Sequence, residues 1–232
     1  MREIVFDTET TGMDPAEGHR LVEIGCLELV NKVPTGRTYH QYIQPERSVP
    51  ADAIAVHGIT DAYLKDMPVF ASIYHEFLEF IGEDSILVAH NAPFDMKFVN
   101  AELKTVGHAA IDNKRVRDSL VLARKKFPGS PASLDALCRR FSIGLEGREL
   151  HGALLDAQLL ADVWMELNGG RQHGLGLNAN TDQSNAQTAA VSAQAIIDRP
   201  ARTPRPHAAK PEELEAHGAL VGELKDPLWP VG

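Results

Sequence analysis

A single α/β domain, with a mixed sheet of about five strands flanked by helices and a flexible tail behind it, is the fold this sequence predicts. Three observations carry that expectation. Segments rich in β-branched residues cluster near the start, helix-periodic segments alternate with short apolar runs after them, and the composition changes abruptly beyond Asn168-Gly169-Gly170. With 232 residues, 44% of them hydrophobic, the chain can build one well-buried core. The expected partition is a domain over 1–170, a linker over 171–209 and a terminal segment over 210–232.

Taken in order, residues 2–6 read as a short β-branched and aromatic strand closed by a turn at Thr10-Thr11-Gly12. Residues 21–30, with Val22, Ile24, Cys26 and Leu27, are a strongly apolar strand candidate. A turn over 31–36 leads into 37–43, which alternates, so the first three strands form an antiparallel meander. Pro45 and Pro50 mark a loop, and residues 52–60 follow it, for which a helix-capping loop with an exposed His57 is one of two readings. Phe70, Ile73, Phe77, Leu78 and Ile81 recur at helical spacing, which predicts an amphipathic helix over 69–81. The apolar run 85–89 suits a central strand that delivers His90-Asn91 into a loop. Pro93 fits a first helical turn, and Phe94, Phe98, Val99, Leu103 and Val106 supply that helix's apolar face. A strand-to-helix junction follows at Arg117-Asp118-Ser119-Leu120, and Ser133 is a good N-cap for a helix over 134–141. Leu154, Leu155, Leu159, Leu160, Val163 and Leu167 place the last domain helix over 153–167.

The chemistry-bearing stretch is Val5-Phe6-Asp7-Thr8-Glu9-Thr10-Thr11-Gly12. Strand side chains alternate, so Asp7 and Glu9 project from one face and repel each other unless something positive lies between them. Oxygen donors at this spacing suit a hard ion such as Mg²⁺ or Mn²⁺, and the absence of neighbouring Cys or His disfavours zinc. An ordinary acidic strand end, with Asp7 bonded to turn amides, accounts for two carboxylates equally well. Asp95 falls in the first turn of its helix, where the macrodipole favours an anion. Asp118 is a further carboxylate, left outside the site.

Two later pieces match the first: His90-Asn91-Ala92-Pro93-Phe94-Asp95 and His151-Gly152-Ala153-Leu154-Leu155-Asp156. Together, and in this order, the three motifs resemble the DEDD-h (DnaQ-like) 3′-5′ exonuclease family over about the first three quarters of the chain. That resemblance implies a ribonuclease H-like fold, removal of mispaired 3′ nucleotides during DNA synthesis, and two divalent cations, Mg²⁺ or Mn²⁺, per site. It also implies that Asp7, Glu9 and Asp156 hold the pair, that Asp95 supports it partly through water, and that His151 deprotonates the attacking water. Asp7, Glu9 and Asp156 then also meet the substrate, and Asp52 and His57 touch the terminal nucleotide. Phe94 offers a ring to a base or, alternatively, serves as a buried packing residue. Five residues of α-helix turn through about 500°, so His151 and Asp156 would diverge by roughly 140° within one regular helix. If Gly152 instead ends an irregular loop, His151 can approach from outside while Asp156 projects from the helix.

A net charge of −9 repels phosphate at long range, so unaided DNA affinity should be weak and a partner should deliver the 3′ end, single-stranded or frayed. Basic residues between Lys114 and Arg148, such as Arg117, Arg124, Arg139 and Arg140, either flank the incoming strand or are solvated helix faces. Within the linker, Gln172, Leu175 and Leu177 resemble the short peptides by which replication proteins bind the bacterial sliding clamp. Leu214, Leu220, Leu224 and Trp229 form a helix-like apolar array, and the resemblance implies docking of this segment on the catalytic subunit of DNA polymerase III. A related nuclease acting on RNA ends or short oligonucleotides, and an adaptor tying polymerase to clamp, remain open alternatives. No apolar run approaches the ~20 residues a membrane helix needs, and the opening residues lack a signal-peptide layout, so a cytoplasmic protein is expected. Cys26 and Cys138 both sit in apolar patterns, which favours reduced core thiols.

Overall fold

The structure is a computed structural model that describes residues 1–145, 150–170 and 210–223. Its sheet has five strands: β1 (Arg2–Thr10), β2 (Leu21–Val30), β3 (Val33–Tyr42), β4 (Ile86–Ala89) and β5 (Val116–Asp118), in the order β3-β2-β1-β4-β5. The β1-β2-β3 meander is antiparallel, whereas β4 pairs parallel with β1 and β5 parallel with β4, so the sheet is mixed as expected. The domain's helices are α1 (Ala51–His57), α2 (Asp61–Leu64), α3 (Phe70–Ile81), α4 (Ala92–Thr105), α5 (Ser119–Lys126), α6 (Leu134–Phe141) and α7 (Ala153–Leu167).

Alternation along β1 sorts the layers. Ile4 and Phe6 point into a core shared with α3 and α4, while Val5 points into a second core shared with α5, α6 and α7. Fully buried aromatics such as Phe77 and Phe98 anchor the first core, each contributing about 1.5–3 kcal/mol by leaving water. Trp164, Leu160 and Leu167 of α7 build the second. By the same period-two rule Asp7 and Glu9 share the α7 face with Val5, and Thr8 faces α4.

Three boundaries differ from the sequence expectation, each for a local reason. β1 continues to Thr10 because its pairing with β2 persists through Asp7↔Gly25 and Glu9↔Glu23, and it is interrupted only by an irregularity between Glu9 and Thr10. The two carboxylates lie at the strand's carboxyl end, as expected, and inside its hydrogen-bonded ladder. β3 starts at Val33, since Asn31 and Lys32 both adopt left-handed backbone (φ 52° and 67°) and close a two-residue hairpin. Residues 52–60, expected as loop, include the α1 helix, which Gly58 ends in left-handed conformation (φ 74°), and Thr60 then caps α2 through the Tyr63 N–H.

Contacts divide the chain into Met1–Leu175 and Gly176–Gly232. In the second unit the described element is α8 (Pro211–Glu223), on which Leu214 and Leu220 are exposed. Among the described residues no helix is long and apolar enough to cross a membrane. Cys26 and Cys138 are buried free thiols, and burial pushes both upward in pKa, Cys138 to about 11.

Candidate active site

The parallel pairing of β1 with β4 ends early. Register runs from Glu3↔Ile86 to Val5↔Val88, after which β4 stops at Ala89 while β1 runs on. A crevice opens beyond the carboxyl end of β4, the position where sheets of this kind bind ligands. Asp7 and Glu9 line its edge from β1.

Asp95 enters from the other face of the sheet. His90-Asn91 leaves β4, Asn91 takes left-handed backbone (φ 67°) as the N-cap of α4, and Asp95 follows in the first helical turn. It is 2% exposed and accepts a hydrogen bond from Thr8 Oγ1 at 2.8 Å. The alternation of β1 thus aims Asp7 and Glu9 at α7 and Thr8 at Asp95, so one strand engages carboxylates on both sides. Asp118, the carboxylate set aside above, accepts the N–H groups of Asn91 (3.1 Å) and Leu120 (2.8 Å) and caps α5.

Asp156 arrives from the first turn of α7, where its own N–H donates to Gly152 O at 2.9 Å and its side chain is buried. His151 lies outside the helix, its N–H donating to Val56 O of α1 at 3.2 Å. That irregular approach removes the divergence a regular helix would impose, and Nδ1 of His151 stands 3.1 Å from Oδ2 of Asp156. Ligand atoms of Glu9, His151 and Asp156 all lie within 4.8 Å of one another. Hard carboxylate oxygens with one imidazole are a donor set that fits a divalent cation.

Electrostatics describe the same convergence. The Asp7 carboxyl is held well above its usual range, first by burial and then by repulsion from Asp95, Glu9, Asp156 and Glu23. Asp95 is pushed up to about 7, chiefly by burial, with the Thr8 hydrogen bond opposing the rise. Such crowding costs stability in the metal-free protein, and a cation relieves it.

Two cavities flank the cluster. One, of about 650 Å³, is lined by Asp7, His151 and Asp156 together with His90, Arg124 and Ser133. The other, of about 380 Å³, brings Glu9 together with Asp52, His57, Phe94 and Met13. Asp52 is exposed on α1, and the Phe94 ring lies 5.2 Å from that of Phe98 at a 51° tilt or less, 50° between planes. His57 is buried and pushed downward in pKa by that burial, and its Nδ1 accepts the Ile59 N–H at 3.0 Å. Asp7, Glu9, Asp52, His57, Phe94, His151 and Asp156 thus line the two cavities, whereas Asp95 is buried behind Thr8 and lines neither. Gln172, Leu175, Leu177, Leu224 and Trp229 lie outside the described residues, as does Arg148. Sequence reasoning missed Glu23, gave His90 no role beyond its place in a motif, and left Arg124 between strand-flanking and solvated readings; His90 and Arg124 both line the larger cavity. A signal for Glu23 existed, namely a charged residue inside the apolar run of β2.

A five-stranded mixed sheet with helices on both faces and this crevice defines the ribonuclease H-like exonuclease architecture. Solved structures agree on the fold: exonuclease X in complex with 5′ overhanging duplex DNA (TM-score 0.56, 23% identity, covering 71% of this chain and 89% of that one) and exonuclease I (TM-score 0.61, 17% identity, 71% and 39%). The family model described as Exonuclease matches residues 4–164. The chain is similar to the DNA polymerase III subunit epsilon of Rickettsia felis, 49% identical over 235 residues that cover 97% of each chain. It is similar likewise to that of Escherichia coli, 42% identical over 228 residues, covering 95% of this chain and 92% of the relative. The chain belongs to the exonuclease family, among its DnaQ-like proofreading members.

Proposed function

We propose that Asp7, Glu9, Asp95, Asp156 and His151 form the catalytic centre of this divalent-metal-dependent 3′-5′ exonuclease. The observation that carries the proposal is the meeting, toward the carboxyl end of the central strand β1, of acidic side chains from β1, α4 and α7 with His151, where ligand atoms of Glu9, Asp156 and His151 lie within 4.8 Å of one another. Two cations, Mg²⁺ or Mn²⁺, would be held by Asp7, Glu9 and Asp156 with Asp95 in support; when bound they screen the phosphate and make water acidic enough to attack at neutral pH. His151 takes the proton. Its Nδ1 donates to Asp156 Oδ2, which assigns the accepting role to Nε2 and holds the ring in orientation. Asp52, His57 and Phe94, gathered in the 380 Å³ cavity beside Glu9, receive the terminal nucleotide, with Phe94 offering a ring edge or face to the base.

The substrate is the DNA 3′ end, and the work is proofreading within a cytoplasmic polymerase III assembly. Similarity over nearly the whole chain to proteins named as polymerase III epsilon subunits supports that assignment. The tail would supply the contacts: Leu214, Leu220, Leu224 and Trp229 toward the polymerase catalytic subunit, and Gln172, Leu175 and Leu177 toward the sliding clamp. The test is hydrolysis by the purified chain, with Mg²⁺ or Mn²⁺, of labelled single-stranded DNA, mispaired primer ends and RNA. Faster release from frayed or mispaired DNA ends is the expected result. Equal or faster turnover of RNA would replace this reading with that of an RNA-end nuclease.

A further inference from the structure

The helix that carries Asp156 begins without a cap of its own. Its N-cap is Gly152, which has no side chain to accept the orphaned N–H groups of the first turn. A neighbouring strand supplies the acceptor instead. Glu23 of β2, 2% exposed, accepts the Ala153 N–H through Oε2 at 3.1 Å. Its other oxygen, Oε1, lies 2.6 Å from Nε2 of His40 on β3. Two residues along β2, Gly25 is pressed against the same turn: a Cβ there would stand 2.2 Å from Leu154 N and 2.3 Å from Ala153 C. In the β1–β2 register Glu23 opposes Glu9 and Gly25 opposes Asp7.

We propose that Glu23 is a positioning residue for hydrolysis: it fixes the first turn of α7 on the sheet, at the depth Gly25 permits, and thereby places His151 and Asp156 against Asp7 and Glu9. The geometry explains a buried carboxylate that would otherwise only add repulsion to an acidic cluster. Ala153 is two residues from His151 and three from Asp156, so a shift of the turn moves both side chains relative to β1. An anion at a helix N-terminus is favourable, and the remaining oxygen accepts from Nε2 of His40. The role rests on the catalytic centre proposed above.

The test uses the full chain. Glu23→Ala should lower kcat on single-stranded DNA by roughly 10- to 100-fold, the cost of misplacing a catalytic group by about an ångström, with KM little changed. Glu23→Gln should restore most of kcat, because its amide oxygen still accepts from Ala153 while its NH₂ can donate to Nε2 of His40 in the tautomer that carries the proton on Nδ1. Gly25→Ala, which forces the turn off the sheet, should reproduce the kcat loss, and combining it with Glu23→Ala should cost less than the sum of the two. In metal-free protein the side-chain nitrogen resonances of His151 should move in Glu23→Ala and stay in place in Glu23→Gln. Wild-type kcat in folded Glu23→Ala would overturn the proposal, as would equal damage from Ala and Gln, which would point to charge rather than to the acceptor. Should Glu23→Ala fail to fold, Glu23→Gln and Gly25→Ala decide: wild-type turnover in Gly25→Ala overturns it. Asp7→Ala, run alongside, separates the two failures, since activity surviving there would sink the catalytic centre itself.

Discussion

At the scale of single residues, the cluster trades stability for function. Asp95 has an ordinary pKa of 3.8 when unfolded and about 7 in the folded domain, where burial disfavours its charge. A group raised in this way contributes its full stability below the unfolded value and loses it as pH climbs through the folded one. In EDTA the domain should therefore lose stability between about pH 4 and pH 7. Asp95→Asn, which keeps an acceptor for Thr8 Oγ1, should flatten that slope, leaving the part that the raised Asp7 contributes. Thermal melts should show the variant close to wild type near pH 4.5 and more stable at pH 7.5; an unchanged slope would mean that Asp95 is not the strained group. His151 makes a different demand. His151→Ala should lower turnover by roughly 10²–10⁴, the range for general-base catalysis, while Mn²⁺ affinity measured by calorimetry stays near wild type. A collapse of metal affinity would make His151 a ligand instead of the base.

At the scale of elements, legibility followed periodicity. α3, α4, α6 and α7 were readable within about a residue because each has an apolar stripe and a terminal signal, such as Pro93 or Ser133. β2 was readable end to end since it is an interior strand buried on both faces and mostly apolar, Glu23 and Glu28 apart. The errors came where pairing or turn geometry overrides composition. Thr10, with Thr11 and Gly12, looks like a turn by residue type, yet β2 lies beside Thr10 and continues the ladder through it. α1 escaped notice because a seven-residue helix makes too few turns to show a period, and Pro45 and Pro50 before it argue for loop. Site residues that carry motifs were visible; Glu23, whose contacts depend on the approach of α7 across 130 positions of sequence, was not. Helix geometry left the loop-borne approach of His151 as one of two arrangements, and the structure takes it; the contact of His151 N–H with Val56 of α1 had no sequence signal.

At the scale of the whole molecule, net charge and the tail pose one problem. A chain at −9 gains little from the phosphate backbone, so proofreading is best served by tethering, which replaces bulk concentration with a local one. A fragment ending at Gly170 should keep its hydrolysis of free single-stranded DNA but no longer co-purify with the polymerase catalytic subunit, and Trp229→Ala should weaken that association. Replacing Gln172 and Leu175 together by Ala should loosen clamp binding and spare polymerase binding. Retention of full polymerase affinity by the fragment would remove the tail from the account. The claim on which everything else depends is that the carboxylates of β1 hold the metal that drives hydrolysis. Its most direct test is the rate of 3′ nucleotide release by full-length Asp7→Ala with saturating Mg²⁺ or Mn²⁺, on protein shown to be folded. The account predicts loss of metal-dependent hydrolysis with thermal stability in EDTA equal to or above wild type, because crowded like charges have been relieved. Wild-type release by that folded variant would contradict it.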